Sequence, residues 1–406
     1  MAKILVTDAE EKTQVPFLRG ILTRSLQDAG LSFNTAYSLA SLIREDINDS
    51  SQVTTRALQA LVIKRLRALG NRVEAATYSR QRRPGGLVVI EEADGRLVPF
   101  SRVRHERRLA CSGLSGDEAA AVTQLLYRHL LTSSPKPVPV DRIGGITHGC
   151  VREEIGEDAA HRYLVWTHFS RSGRPLVLML SGTAGCGKST TAAMLANRLD
   201  IVRTQSTDML REIMRVMVPE RLLPVLHRSS FNAWKALPGQ SRETSCTDAA
   251  LADGYSAQAE LLSVASEAVV QRALRERVSF VLEGVHVNPE FAGSISGEAD
   301  AVIETIMLAV LKPKRLRRYI RGRSRHSPHR RAERYLESFD EIWRLQAHLL
   351  DQADQAGIPI IANDDREEVF RKIMLHVIDR LSDGFAATPR EVFGEQILRA
   401  HRLRPA

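Results

Sequence analysis

Apolar positions along this chain follow two patterns. In the C-terminal half they form short unbroken runs, and in the N-terminal half they recur at helical spacing beside small hairpins. The sharpest run, residues 176–180, lies between Pro175 and Gly182. Five apolar residues without alternation read as a strand buried on both faces. Four further strand candidates follow at residues 201–206, 279–284, 301–311 and 358–363, separated by helical periodicities, of which 257–277 and 333–356 are the longest. Single strands alternating with helices predict an α/β unit built on a parallel five-stranded sheet flanked by helices. Ligands of such sheets sit beyond the carboxyl ends of the strands.

The first half of the chain repeats itself. Val15-Pro16-Phe17 returns as Val98-Pro99-Phe100, an offset of 83. At the same offset Arg19 matches Arg102, Arg24 matches Arg107, Leu26 matches Leu109, and Gly30-Leu31-Ser32 matches Gly113-Leu114-Ser115. Residues 74–78 face 158–163 with a small insertion. Each copy reads as a short β-hairpin followed by helices. In the second, two apolar runs flank Asp94-Gly95, a hairpin turn signal, and Ala119, Val122, Leu126 and Leu130 share one helical face. The polar, Gly/Pro-punctuated stretch 167–175 marks a boundary. Three modules result: 1–83, 84–170 and 171–406.

Chemistry enters where the first buried strand ends. It runs into Gly182-Thr183-Ala184-Gly185-Cys186-Gly187-Lys188-Ser189-Thr190, the G-x-x-x-x-G-K-S pattern of a phosphate-binding P-loop, with the strand before it and a helix after it. Glycine permits the backbone conformations that aim successive N–H groups at phosphate oxygens. The following helix adds the positive end of its dipole. In this pattern Lys188 reaches the β- and γ-phosphates and Ser189 places its hydroxyl on Mg²⁺. The second strand delivers Asp208 and, three residues on, Arg211. That pair suits a base and an anion-holding cation, although Asp208 also suits a helix cap. The third strand ends in Glu283, where a carboxylate beside a P-loop holds Mg²⁺ directly or through water. His286 nearby is either a donor to substrate or a hydrogen-bonded structural histidine.

After the fourth strand, residues 311–335 are dense in arginine. Three readings compete: a solvated basic helix, a nucleic-acid stripe, or a lid closing cations such as Arg321, Arg323, Arg325 and Arg330 onto phosphates. Gly322 and Ser327-Pro328 favour the lid. Asn363, leaving the fifth strand, is placed near the nucleotide base. The insertion 212–256 offers Phe231, Trp234, Lys235 and Arg242 either as an acceptor cover or, for the two aromatics, as core.

Composition narrows the class. The chain has 406 residues, 43% of them hydrophobic, a net charge of +9, and four scattered cysteines without a C-x-x-C pair. These values fit a cytoplasmic globular protein of two or three domains with anionic partners, and they signal neither a zinc site nor a disulfide framework. No apolar run is long enough to span a bilayer.

The set STDMLRE, SSFNAW, GYSAQ and VLEGVH, strung between the P-loop and the basic segment, resembles the 2-phosphoglycerate kinase family. Residues 95–102 (GRLVPFSR) and 159–166 (AAHRYLVW) resemble the ATP-cone, a nucleotide-binding regulatory module. The first resemblance implies transfer of phosphate from MgATP to the 3-hydroxyl of 2-phosphoglycerate. Lys188, Asp208, Glu283 and Arg211 would then form the catalytic set, Ser189 and Glu283 would hold Mg²⁺, and residues 182–190 with Arg321, Arg325 and Asn363 would hold ATP. The ATP-cone carries a basic pair before its turn; here that place holds Glu91-Glu92, and Asp8 in the first copy. Carboxylates there repel a triphosphate, which favours a docking or homo-oligomerisation module over an effector site. Two other classes stay open: a polynucleotide or tRNA kinase, and a non-catalytic ATP-switched regulator. The basic segment lacks interleaved aromatics for base stacking, which weighs against nucleic acid. The acids at the strand ends weigh against the regulator.

Overall fold

The computed structural model describes residues 4–8, 13–48, 52–81, 88–92, 94–133, 137–239, 246–295, 300–326, 332–385 and 388–394. The chain divides into two compact units, residues 1–106, 117–156 and 389–406, and residues 107–116 and 157–388. The expected boundary at 167–175 therefore moves: a helix occupies Glu157–Ser172, and it belongs to the second unit.

In chain order the first repeat comprises β1 (Leu5–Asp8), β2 (Thr13–Pro16), α1 (Arg19–Asp28), α2 (Phe33–Asp46), β3 (Gln52–Thr54), α3 (Thr55–Ala68) and α4 (Arg72–Gln81). The second comprises β4 (Val89–Glu91), β5 (Leu97–Pro99), α5 (Arg102–Cys111), α6 (Gly116–Ser133), β6 (Val138–Pro139), α7 (Val140–Glu154) and α8 (Glu157–Ser172). The element order is identical. So is the sheet plan: an antiparallel hairpin, with a third strand parallel to the first on its other edge, giving β2-β1-β3 and β5-β4-β6. The offset of 83 holds in detail. Arg19 and Arg102 open the first helix of each copy, and their Nη1 atoms donate to Ser41 Oγ (3.4 Å) and Gln124 Oε1 (3.1 Å), themselves 83 residues apart. The hairpins were legible, the third strands were not. At three and two residues they are too short to leave a period.

The second unit continues with β7 (Leu176–Ser181), α9 (Lys188–Arg198), β8 (Arg203–Ser206), α10 (Thr207–Met217), α11 (Asp248–Arg275), β9 (Phe280–Glu283), α12 (Pro289–Ile295), β10 (Val302–Ala309), α13 (Pro313–His326), α14 (Ala332–Glu337), α15 (Phe339–Gln355), β11 (Ile360–Ala362) and α16 (Arg366–Ser382). Its five strands are all parallel, in the order β11-β10-β7-β9-β8. β7 is central, and every residue of it is buried. Alternation along it feeds two cores: Leu176, Leu178 and Leu180 pack with residues of α15 and α16, while Val177 and Met179 pack with residues of α11 and α12. That double coverage explains the unbroken apolar run.

Three elements differ from the sequence reading. α11 begins nine residues before the expected helix, at Asp248, because Thr247 caps it by accepting from Ala250 N. The helix expected over 333–356 breaks at Ser338 into α14 and α15. α13 runs through Gly322 without interruption, and Ser327-Pro328 lies outside the described residues. Among the described residues no helix is long and apolar enough to cross a membrane.

Candidate active site

The P-loop connects β7 to α9 at the carboxyl edge of the sheet. Gly187, left-handed at φ 95°, precedes α9, and no side chain caps that helix. α10, α11 and α16 are capped, by Ser206, Thr247 and Asp365. The first-turn N–H groups of α9 are thus left for a ligand where its neighbours spend theirs on side chains. Thr183 and Cys186 are buried: the threonine hydroxyl turns toward Ile342 O (3.5 Å), and the Cys186 carbonyl accepts from Asn363 Nδ2 (2.7 Å). Lys188 Nζ donates to Thr183 O at 2.9 Å, so the ammonium lies over its own loop.

Ladder register brings the acids to this edge. Glu283, last residue of β9, pairs with Leu180 on one side and Ser206 on the other. Its carboxylate, 8% exposed, accepts from Ser189 Oγ at 2.8 Å. A hydroxyl and a carboxylate meeting beside a phosphate loop form a hard oxygen pair that suits a divalent cation. Among the described residues no cluster of three His, Cys, Asp or Glu side chains forms another candidate metal site.

Asp208 is exposed in the first turn of α10. The cap of that helix is Ser206, whose Oγ accepts from Asp208 N at 3.2 Å, so the capping role considered for Asp208 falls to its neighbour. Arg211 is turned inward: Nη1 donates to Arg228 O (2.6 Å) and Leu226 O (3.4 Å), and Nη2 lies 3.4 Å from Glu212. His286 is buried, with Nδ1 against Thr207 Oγ1 (3.0 Å) and Nε2 against Gln258 Oε1 (2.9 Å). Both ring nitrogens are thereby engaged inside the protein, and the structural reading of this histidine holds. Burial, the dominant cause, lowers its pKa to about 4; Asp208 opposes this, while Arg211 and Lys188 add to it. Phe231 and Trp234 are core residues, 2% and 4% exposed. Arg242 and Arg330 lie outside the described residues, and the side chains of Arg323 and Arg325 are not described.

A cleft of about 540 Å³ opens against the loop, lined by Gly185, Lys188, Thr190, Arg318, Tyr319 and Asn363 among others. α13 forms one wall. Its Leu316 and Ile320 are buried in the sheet core, and a Cβ at Gly185, where φ is +88°, would lie 2.7 Å from Ile320 Cγ1. The helix is seated on the P-loop. Phasing from Leu316 and Ile320 puts Arg318, Tyr319 and Gly322 on the cleft, and Arg321, which does not line it, is exposed. Arg318, Tyr319 and Arg366 were missed in the sequence, although the Leu316–Ile320 spacing signals which face turns inward.

No model of a known protein family matches the chain. Curated relatives do. It is 32% identical over 292 residues to a protein of Pyrococcus horikoshii named 2-phosphoglycerate kinase, covering 72% of this chain and 94% of that one. Proteins of the same name from Thermococcus kodakarensis and Methanopyrus kandleri are 31% and 30% identical, over 73% and 71% of this chain and 99% and 86% of their own lengths. Similarity that runs nearly the whole length of such relatives, in a chain with this loop, sheet and acid placement, is that of shared descent: the chain belongs to the 2-phosphoglycerate kinase family.

Proposed function

We propose that the protein transfers the γ-phosphoryl group of ATP to the 3-hydroxyl of 2-phosphoglycerate, giving 2,3-bisphosphoglycerate. The observation that carries the reading is the Ser189–Glu283 pair at the mouth of an uncapped P-loop helix, in a chain whose relatives bear that enzyme's name.

On this reading the backbone of residues 182–190 cradles the triphosphate. Lys188 exchanges the Thr183 carbonyl for phosphate oxygens, a shift of one hydrogen bond. Ser189 and Glu283 would hold Mg²⁺, which when bound neutralises charge on the β- and γ-phosphates. Asp208 orients the acceptor hydroxyl and takes its proton. Arg211, through the turn it grips, shapes the acceptor side. Arg318, Tyr319 and Asn363, which line the cleft beside the loop, face the nucleotide, and α13 serves as a cationic lid beside the transferring group. Positioning and electrostatics supply most of the acceleration in such a transfer. The two N-terminal repeats are docking modules of ATP-cone descent, and the last helix of the second repeat, Glu157–Ser172, belongs to the unit that carries the kinase site.

The test is ADP release from MgATP offered phosphorylated three-carbon and sugar acids, with the product identified by phosphorus NMR. 2-Phosphoglycerate should be turned over best; absence of ADP release above background with it overturns the assignment. Lys188→Ala should abolish turnover and leave thermal unfolding within a few degrees of the native chain.

A further inference from the structure

The short sequences that set this chain apart from other P-loop proteins interlock in the folded protein. Thr207 opens α10, Gln258 lies in α11, and His286 follows β9; all three side chains are at most 2% exposed. Thr207 Oγ1 is 3.0 Å from His286 Nδ1, and His286 Nε2 is 2.9 Å from Gln258 Oε1. Gln258 Nε2 then donates to Val225 O (2.5 Å) and Arg228 O (3.1 Å) in the turn Pro224–His227 and just after it. The second of these carbonyls also receives Arg211 Nη1. The Tyr255 hydroxyl donates to Val285 O at 2.9 Å, and its ring lies parallel to His286 at 6.5 Å.

Proton positions follow from the ends of the chain. Two backbone carbonyls fix the amide nitrogen of Gln258 as the donor side, which leaves Oε1 as an acceptor. His286 therefore carries its proton on Nε2, and its Nδ1 lone pair receives the Thr207 hydroxyl. Every polar atom of this relay has a partner of the right kind. A buried network so satisfied fixes one arrangement of the elements that it joins.

We propose that Thr207, His286 and Gln258 are positioning residues for the phosphoryl acceptor: together they hold the first turn of α10, which carries Asp208 and Arg211, in register with the 224–228 turn. The assignment of this side to the acceptor rests on the function proposed above. Nucleotide is handled on the other side of the P-loop, so the two substrates should respond differently.

Steady-state kinetics on the full chain with MgATP and 2-phosphoglycerate test this. Thr207→Val, which keeps shape and loses the hydroxyl, should lower kcat/KM for the acid about tenfold or more and leave KM for ATP within about twofold. Thr207→Ser should recover activity to within about threefold of native. An equal effect on both substrates, no recovery by serine, or native behaviour of the valine variant overturns the proposal. A second measurement does not depend on the acceptor's identity. Hydrogen exchange at residues 207–211 and 224–228 should quicken together in Thr207→Val, and exchange unchanged in the 224–228 turn also overturns it. If the native chain releases no ADP with 2-phosphoglycerate, the functional reading fails, and the exchange experiment still decides the relay. Where Thr207→Val does not fold, His286→Asn, whose side-chain oxygen can sit near the Nδ1 position, should retain more activity on the acid than His286→Gln; the reverse order sinks the relay.

Discussion

A methyl group added at Gly284 would overlap Thr207 Oγ1. Glycine follows Glu283 so that α10 can pass directly over the end of β9. Gly284→Ala must push Thr207 off His286 or lift the helix, and either is an overpacking defect of about 1–3 kcal/mol. A urea midpoint lowered by that amount, with the unfolding slope unchanged, is the expected result. His286 answers to pH in a way whose sign is fixed by burial. Its folded pKa of about 4 lies below the ordinary 6.5, so the unfolded chain takes up the proton first as pH falls. Stability from the neutral ring is complete above pH 6.5, drains away as the solution is acidified toward pH 4, and changes no further below that. The span corresponds to a loss of order 3 kcal/mol. Urea midpoints compared between pH 7 and pH 4 should show that loss in the native chain and a much smaller one in His286→Asn. Equal losses in the two proteins would remove His286 as the cause.

α13 shows how far helical phase carries an argument and where it stops. Leu316 and Ile320 are buried in the core, and that four-residue spacing turns Arg315, Arg318, Tyr319 and Gly322 toward the loop that follows β11. Arg315 pairs there with Asp364, and the Tyr319 hydroxyl donates to Asn363 O at 3.3 Å. Truncating Leu316 or Ile320 to Ala should destabilise the chain by about 2–4 kcal/mol. It should also raise KM for ATP several-fold while KM for the acceptor stays near native, because the wall of the cleft proposed to hold nucleotide loses its seat; calorimetric Tm and both KM values check this. All five strands of the large sheet, the P-loop and the acid of β9 were legible: buried parallel strands leave apolar runs, phosphate loops leave glycines, and the polar, partly exposed edge strand β8 is marked by its place in the strand–helix alternation. What stayed hidden were pairings across sequence. Thr207, Gln258 and His286 lie 28 to 79 residues apart along the chain, and no period links a threonine to the glutamine that fixes its partner's tautomer. The Ser338 break between α14 and α15 was equally silent, since apolar spacing continues on both sides of it.

The summed charge of the chain bears on how it meets its substrates. A net charge of +9, with arginines concentrated in a helix that walls the cleft, sets up a field that draws anions in from beyond contact distance. Both substrates of the proposed reaction are multiply charged anions, so capture should quicken at low salt. The Debye length contracts from roughly 30 Å at 0.01 M to about 3 Å at 1 M ionic strength. Across that interval kcat/KM for 2-phosphoglycerate should fall by about tenfold or more, with kcat nearly constant because bound charges are shielded by protein. A polynucleotide kinase would respond in another currency: its affinity for RNA would drop with a log–log slope set by the number of phosphates neutralised. The same salt series run with a labelled RNA hairpin separates the two. Weak RNA binding at every salt, beside a salt-sensitive kcat/KM for the acid, places the basic helix over a small substrate. Tight RNA binding with a slope of several units, and a flat profile for the acid, would make that helix a backbone-tracking surface and unseat the small-molecule reading.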